Sequence, residues 1–339
     1  MAAYQPHRVL VTGGAGFIGT NFIRCLLANE PDVQIVNLDK LTYAGSLANL
    51  NGLTNSKHHH FVQGDITDEK LVRHLLQHHA IDTIVHFAAE SHVDRSIAAP
   101  AAFIETNVLG TFTLLEAARH HWLETEKRAA EHCRFHHIST DEVYGSLQPT
   151  DPLFSENTAY QPRSPYSASK AASDHLVQAY YHTYGLPITL SNCSNNYGPY
   201  QHTEKFIPTV LRGCLENKPI PIYGNGKNIR DWLYVEDHCR GILAILKTGK
   251  IGEQYNLGGN NEWENIALAT HICELMDKHM PRASSYKDLL QFVTDRPGHD
   301  FRYAIDSSKI EKMLGWRPRE TLASGLEKTI RFYLSMSSV

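Results

Sequence analysis

Two adjacent acids, Asp141 and Glu142, stand in the segment Ser139-Thr140-Asp141-Glu142-Val143-Tyr144-Gly145, upstream of Tyr166 and Lys170. A Tyr-x-x-x-Lys pair suits the movement of a hydride on and off a carbon that bears a hydroxyl. The phenol takes or returns the hydroxyl proton while the hydride moves. Once that carbon is a ketone, the C–H beside it becomes acidic. A carboxylate can remove that proton, and a neighbouring carboxylic acid can help a hydroxyl leave as water. The four residues therefore suit oxidation, elimination and re-reduction at a single site.

Ser164-Pro165-Tyr166 reads as a helix start, with Ser164 as cap and Pro165 in the first turn. Tyr166 and Lys170 then share one helix face. The ammonium is expected to lower the phenol's pKa, so that Tyr166 acts as a base near neutral pH, and Lys170 can also hold a nicotinamide ribose. Thr140, Asp141 and Glu142 follow a strand at its carboxyl end, where ligands bind in open α/β sheets. Taken alone, the acids could be a solvated loop and the Tyr/Lys pair an idle helix face. Their place behind a dinucleotide-binding strand favours a site.

That strand is Val9-Leu10-Val11, which runs into Thr12-Gly13-Gly14-Ala15-Gly16-Phe17-Ile18-Gly19. The spacing Gly13-x-x-Gly16-x-x-Gly19, with Phe17 and Ile18 inside it, fits a pyrophosphate cradle between strand and helix. Asp39 lies twenty positions after Gly19, at the end of the next strand. It is expected to accept hydrogen bonds from the adenosine ribose and to repel a 2′-phosphate, which favours NAD over NADP. Lys40 is the one neighbour that softens this preference. Asp65 and Ile66 are placed to meet the adenine. Ala88, Ala89, Glu90 and Ser91 lie near the nicotinamide-side phosphates.

Strand–helix alternation extends through the first half: strand Arg8–Thr12, helix Gly16–Asn29, strands Gln34–Leu38 and His60–Gly64, helix Asp68–His78, strand Thr83–Ala88, helix Phe103–Glu126, strand Phe135–Ser139, helix Tyr166–Tyr184 and strand Ile188–Asn192. This predicts an α/β, Rossmann-type doubly wound parallel sheet. After Tyr197-Gly198-Pro199 the pattern turns irregular and rich in Pro and Gly. We expect residues 1–197 to form the dinucleotide-binding domain with the catalytic residues. Residues 198–339 are expected to form mainly a smaller mixed α/β substrate lobe, with segments near 230–260 returning to the main domain.

A formal net charge of -4 gives no general attraction for nucleic acid or membrane, so neither is an expected partner. Six scattered cysteines without C-x-x-C, and no basic-then-apolar leader, suggest a cytoplasmic protein. The 21 histidines include the runs His58-His59-His60, His78-His79, His120-His121 and His136-His137. None of these runs makes a metal set by its spacing, so no metal is expected.

The glycine turn, Phe87-Ala88-Ala89-Glu90-Ser91-His92-Val93-Asp94-Arg95-Ser96, Ser139–Gly145 and Tyr166-x-x-x-Lys170 resemble the extended short-chain dehydrogenase/reductase superfamily. Within it the chain most resembles the dTDP-glucose 4,6-dehydratase family. The resemblance spans nearly the whole chain, including Asn228-Ile229-Arg230-Asp231-Trp232 and Asp295-Arg296-Pro297-Gly298-His299-Asp300. The Thr140-Asp141-Glu142 triplet separates such dehydratases from the 4-epimerases, which share the other motifs.

The resemblance implies that Tyr166 removes the C4 hydroxyl proton and that Thr140 hydrogen-bonds near that hydroxyl. Glu142 takes the C5 proton, and Asp141, as a neutral acid, protonates the departing C6 hydroxyl. Arg230 and Arg296 resemble residues that meet the substrate diphosphate. Lys205, Asn195 and Asn265 resemble further phosphate or sugar contacts. Tyr223, beside Pro221, is placed to stack on the base. His299 and Tyr303 line the nucleotide pocket, and Ser91 and Arg95 lie nearer the hexose. The resemblance also implies a homodimer joined through a four-helix bundle. A UDP-glucose or other nucleotide-sugar 4,6-dehydratase, a 4-epimerase and a non-catalytic NAD-binding protein stay open as alternatives.

Overall fold

The computed structural model describes residues 3–53, 56–296 and 298–337, so Pro297 lies outside the described residues. Seven parallel strands form the main sheet: β1 (Arg8–Thr12), β2 (Gln34–Asp39), β3 (His59–Gln63), β4 (Thr83–His86), β5 (Arg134–Thr140), β6 (Ile188–Cys193) and β7 (Gln254–Leu257). Their order is β7-β6-β5-β4-β1-β2-β3. The chain winds outward in one direction from β1 and then in the other from β4. This places a topological switch point between those two strands, and a crevice opens at their carboxyl ends.

The apolar runs explain the layers. Val9 and Val11 face one side of β1 and pack with Phe22, Ile23 and Leu26 of helix Phe17–Asn29 and with Ile242, Ile245 and Leu246 of helix Val235–Thr248. Leu10 faces the other side, with Leu75 and Leu76 of helix Glu69–His78, Leu114 and Leu115 of helix Thr111–Ala118, and Val177 of helix Pro165–Tyr184. Both sheet faces are thus covered, as buried parallel strands require. The helical run from Ala101 to Thr125 is continuous but widens into π-helical turns at Ile104–Gly110 and Arg119–Thr125.

The lobe has its own core around Tyr197, Ile207, Leu211, Trp232, Ile272 and Leu326. Strand Ile229–Tyr234 is the centre of its sheet. It pairs with Asn195–Tyr197, Glu262–Glu264 and Arg302–Tyr303. The following helix, Val235–Thr248, and β7 belong to the main domain instead. The connection immediately after β6 therefore enters the lobe, and the chain crosses back between Tyr234 and Leu257.

Candidate active site

The glycine turn closes the floor of the crevice. Gly13 has φ +71°, and a Cβ there would lie 2.7 Å from Ala88 N on the neighbouring strand's loop. At Gly19 a Cβ would lie 2.3 Å from Gly13 O, so helix and turn pack too closely for any side chain. Gly16 caps the helix without a side-chain hydrogen bond, which leaves the first helical N–H groups open to the crevice. Gly13→Ala is expected to destabilise the fold by about 1–2 kcal/mol from left-handed strain alone. A lowered urea midpoint would read this out, and an unchanged midpoint would show that the turn has room.

Asp39 ends β2 and is buried. Its carboxylate accepts the Ala15 N–H at 2.9 Å and the Leu41 N–H at 2.8 Å, which fixes it beside the glycine turn with lone pairs to spare. Lys40 pairs with Asp65 at 2.6 Å. The lysine next to Asp39 is therefore engaged by a carboxylate. Gly13, Gly16, Phe17, Ile18, Gly19, Asp39, Lys40, Asp65, Ile66, Ala88 and Ala89 all line one continuous cleft. An open helix N-terminus above a glycine turn, with a fixed carboxylate at the far end, fits a dinucleotide without a 2′-phosphate.

The same cleft runs on to Thr140, Asp141, Glu142, Tyr166 and Lys170, and to Ser91, Asn195 and Lys205. Thr140 ends β5, and its hydroxyl accepts the Glu142 N–H at 3.3 Å, capping the short turn Asp141–Tyr144. Ser164 and Ser167 cap the catalytic helix reciprocally, each hydroxyl accepting the other's N–H at 3.0 Å, with Pro165 in its first turn. The helix ends at Gly185 in the left-handed conformation. Asn107 ties this helix to the loop after β4. Its side chain accepts the Glu90 N–H at 2.9 Å and donates to Ser169 Oγ at 2.8 Å.

The two acids sit in different surroundings. Asp141 is buried and accepts from the Thr140 hydroxyl at 3.3 Å, while its Oδ2 has no hydrogen-bond partner. Burial first, then Glu142 and Asp231, push its carboxyl well above the usual range, with Arg230 opposing. Burial also raises Glu142, but Arg230, Lys205 and Arg296 pull it back toward the ionised form. The pair is thus separated into a neutral acid and a more readily ionised base.

Tyr166 departs from the expectation of a lowered phenol. Burial, then Glu142 and Cys193, hold it well above its ordinary value, with a Thr140 hydrogen bond opposing. The Lys170 ammonium donates to Ile138 O at 2.8 Å and faces His137 Nε2 at 3.3 Å. Desolvation and the nearby carboxylates set the direction of the Tyr166 shift.

The remaining predicted residues, Arg230, Arg296, His299, Pro221, Tyr223, Asn265, Tyr303 and Arg95, do not line that cleft. Arg230 donates to the carbonyls of Ile229 (2.7 Å), Phe301 (3.3 Å) and Asp300 (3.0 Å), and its guanidinium lies 4.3 Å from the Tyr303 ring centroid. Carbonyls do not neutralise it, so its charge is left to act on the acid pair. Arg296 lies 4.4 Å over the Tyr223 ring and pairs with Asp94 at 3.1 Å. His299 meets Asp295 at 2.6 Å. Pro221 and Tyr223 share strand Ile220–Tyr223, and Asn265 heads helix Asn265–His279, its N–H bonded to Asn228 O at 3.0 Å. Arg95 stacks on Tyr43 at 3.8 Å and pairs with Glu204 at 3.5 Å.

Tyr43 and Glu204 line the cleft, as do Thr106, Cys193 and Asn196. Sequence reasoning missed them because none stands in a motif. Among the described residues no cluster of three or more His, Cys, Asp or Glu could hold a metal ion. His74 and His78, an H-x-x-x-H pair passed over in the sequence, stack on the surface with centroids 5.3 Å apart.

The model of the GDP-mannose 4,6 dehydratase family matches residues 10–329. The dTDP-glucose 4,6-dehydratase of Salmonella typhimurium is 52% identical over 97% of this chain and 93% of its own. That of Xanthomonas campestris pv. campestris strain B100 is 54% identical over 96% and 93%. Among solved structures, the dTDP-glucose 4,6-dehydratase DesIV of Streptomyces venezuelae, with NAD and TYD bound, superposes with TM-score 0.88 at 45% identity, covering 98% of each chain. The UDP-glucose 4-epimerase of Thermotoga maritima superposes with TM-score 0.85 at 25% identity, covering 97% of this chain and 99% of its own.

Proposed function

The chain belongs to the dTDP-glucose 4,6-dehydratase family of the extended short-chain dehydrogenase/reductase superfamily, and from that premise we propose how its residues divide the work. The enzyme is an NAD-dependent hydro-lyase that converts dTDP-glucose to dTDP-4-keto-6-deoxyglucose and water. When bound, NAD takes up hydride from the sugar C4 and returns it at C6. Every other step falls to side chains.

Tyr166 takes the C4 hydroxyl proton, with Thr140 orienting that hydroxyl and Lys170 supplying positive charge behind it. The 4-ketone makes the C5 proton acidic, and Glu142 removes it. Asp141, holding its proton, gives it to the C6 hydroxyl as the C–O bond breaks and water leaves. Glu142 returns its proton to C5 as C6 is reduced, and the proton that Tyr166, as phenolate, gains from O4 equals the one Asp141 gives to the leaving hydroxyl, so only water is lost. The observation that carries this reading is the contrast within the acid pair. Asp141 is buried with an unpartnered oxygen, while Glu142 is under the influence of three cations.

Arg230 and Arg296 are assigned to the diphosphate, Lys205, Asn195 and Asn265 to phosphate or sugar oxygens, and Ser91 and Arg95 to the hexose. Tyr223 beside Pro221 serves the base, with His299 and Tyr303 along the nucleotide pocket. The Arg296–Tyr223 stack supports this by holding a cation and an aromatic face together. Mass spectrometry of dTDP-glucose and UDP-glucose after separate incubation with the protein and NAD tests the reading. A product lighter by one water, formed faster from dTDP-glucose, is expected. Faster loss of water from UDP-glucose would reassign the base specificity.

A homodimer through a four-helix bundle is supported by apolar side chains left in solvent on the helical run Ala101–Thr125, where Ile104 is 50% exposed and Leu109 52%. Leu109→Glu is expected to yield monomers in sedimentation, and a persisting dimer would move the interface elsewhere. A cytoplasmic location is supported by six free cysteines. No described helix is long and apolar enough to cross a membrane.

A further inference from the structure

Behind Lys170, on the side away from the cleft, lies a closed polar cluster that the reaction as assigned does not use. His137 on β5 is fully buried, and Asp174, one helical turn beyond Lys170, is 1% exposed. The Lys170 ammonium approaches His137 Nε2 at 3.3 Å, and Asp174 Oδ1 approaches the same nitrogen at 3.2 Å. The other Asp174 oxygen accepts from the Ser139 hydroxyl at 2.6 Å and from the Tyr160 hydroxyl at 3.0 Å. Burial raises the Asp174 carboxyl to about 6, and Lys170 first, then the Ser139 and Tyr160 hydroxyls, oppose this, so it is ionised at neutral pH. An ionised carboxylate this deeply buried requires a charge partner.

Among the described residues Lys170 is the one ammonium in contact with this cluster, and we propose that Asp174, across His137, is the counter-ion that keeps Lys170 protonated for its work at Tyr166. This rests on the role assigned to Lys170 above. Asp174 does not line the cleft, so it is a positioning residue.

His137 Nε2 has three polar neighbours: Lys170, Asp174 Oδ1 and, at 3.4 Å, Ser173 Oγ. Asp174 Oδ1 has no hydrogen-bond partner, so its charge acts on the ammonium through space, and the ammonium rests on Ile138 O at 2.8 Å. With its proton on Nδ1, Nε2 accepts from Lys170. Burial and Lys170 itself keep His137 well toward the neutral form, so it adds no charge. Burial lowers Lys170 to about 8, and Asp174 is the largest influence in the other direction. The other groups bearing on Lys170 are Cys193 on β6 and His86 on β4, the latter held neutral by burial. Tyr160, Tyr144 and His175 bear on Asp174.

Activity that needs the Lys170 ammonium falls as pH rises through the lysine's pKa. Removing the carboxylate charge lowers that pKa, so the fall should begin earlier. Asp174→Asn keeps the shape and is expected to move the alkaline limb of the kcat profile down by about 1 pH unit or more. His137→Gln should move it in the same direction by less. Asp174→Glu, which restores the charge, should return it toward the wild type. An alkaline limb that Asp174→Asn leaves in place, in a folded protein, overturns the proposal.

Lys170→Met separates this from the parent reading. If that variant still oxidises C4 normally, the role of Lys170 itself is wrong. If it is inactive while the Asp174→Asn profile is unmoved, only the counter-ion idea fails. Should Asp174→Asn not fold, nitrogen-15 NMR of the Lys170 ammonium in the wild-type protein decides. A side chain already neutral at pH 7 would contradict the proposal.

Discussion

Asp141→Asn is expected to stop the reaction after oxidation. With dTDP-glucose added, reduced nicotinamide should accumulate on the enzyme while water loss slows by about 10²–10⁴-fold, the usual contribution of a positioned general acid. The physical reason lies in the surroundings of this carboxyl. Burial and the neighbouring acids favour its protonated form, and Oδ2 has no other partner. An amide keeps the size and removes the acidic proton. Tyr166 and the cofactor cleft are untouched, so the first step should proceed. The two events are read separately, by nicotinamide absorbance and by product mass. If Asp141→Asn slows both equally and no reduced nicotinamide appears, Asp141 is not the acid of the elimination.

Tyr166→Phe is expected to fail one step earlier. Removal of the phenolic oxygen leaves no group to take the C4 hydroxyl proton, and nicotinamide reduction should fall by about 10²–10⁴-fold. The raised phenol pKa sharpens the prediction. In the free protein Tyr166 is a neutral phenol, with carboxylates disfavouring its charge. A base of that kind gains activity as pH rises, while the Lys170 ammonium and the Asp141 proton are lost as pH rises. Loss of the Lys170 ammonium, near 8, therefore opposes the gain from the Tyr166 phenolate as pH rises. Normal nicotinamide reduction by Tyr166→Phe would remove it as the base.

Much of this site was legible from residues close together in the chain. The glycine turn follows a buried strand and opens a helix, so three glycines, a strand end and Asp39 share one local geometry. Thr140-Asp141-Glu142 and Tyr166-x-x-x-Lys170 each sit within a single turn. A parallel sheet then brings strand ends to one edge whatever the rest of the chain does.

Contacts made across long sequence separations were not legible. Tyr43 enters the site by stacking under Arg95, and Arg296 covers Tyr223, with no local pattern announcing either. His137 and Asp174 read as strand and helix core until the fold brings them together beside Lys170. The Tyr166 expectation failed for a related reason. Spacing places an ammonium one turn away, but it does not reveal how deeply the phenol is buried or that Glu142 faces it. Likewise Ile229–Tyr234 carries the apolar pattern of a core strand, and nothing in that pattern says which sheet it joins.

The account's central claim is that one site oxidises C4, eliminates water across C5 and C6, and reduces C6 with the hydride it removed. Turnover of dTDP-glucose carrying deuterium at C4, in ordinary water with the purified protein, tests this most directly. The predicted product is lighter by one water, carries the deuterium at C6 and forms with no net reduced nicotinamide. A product of unchanged mass with inverted C4, or a dehydrated product whose C6 lacks the deuterium, would contradict it.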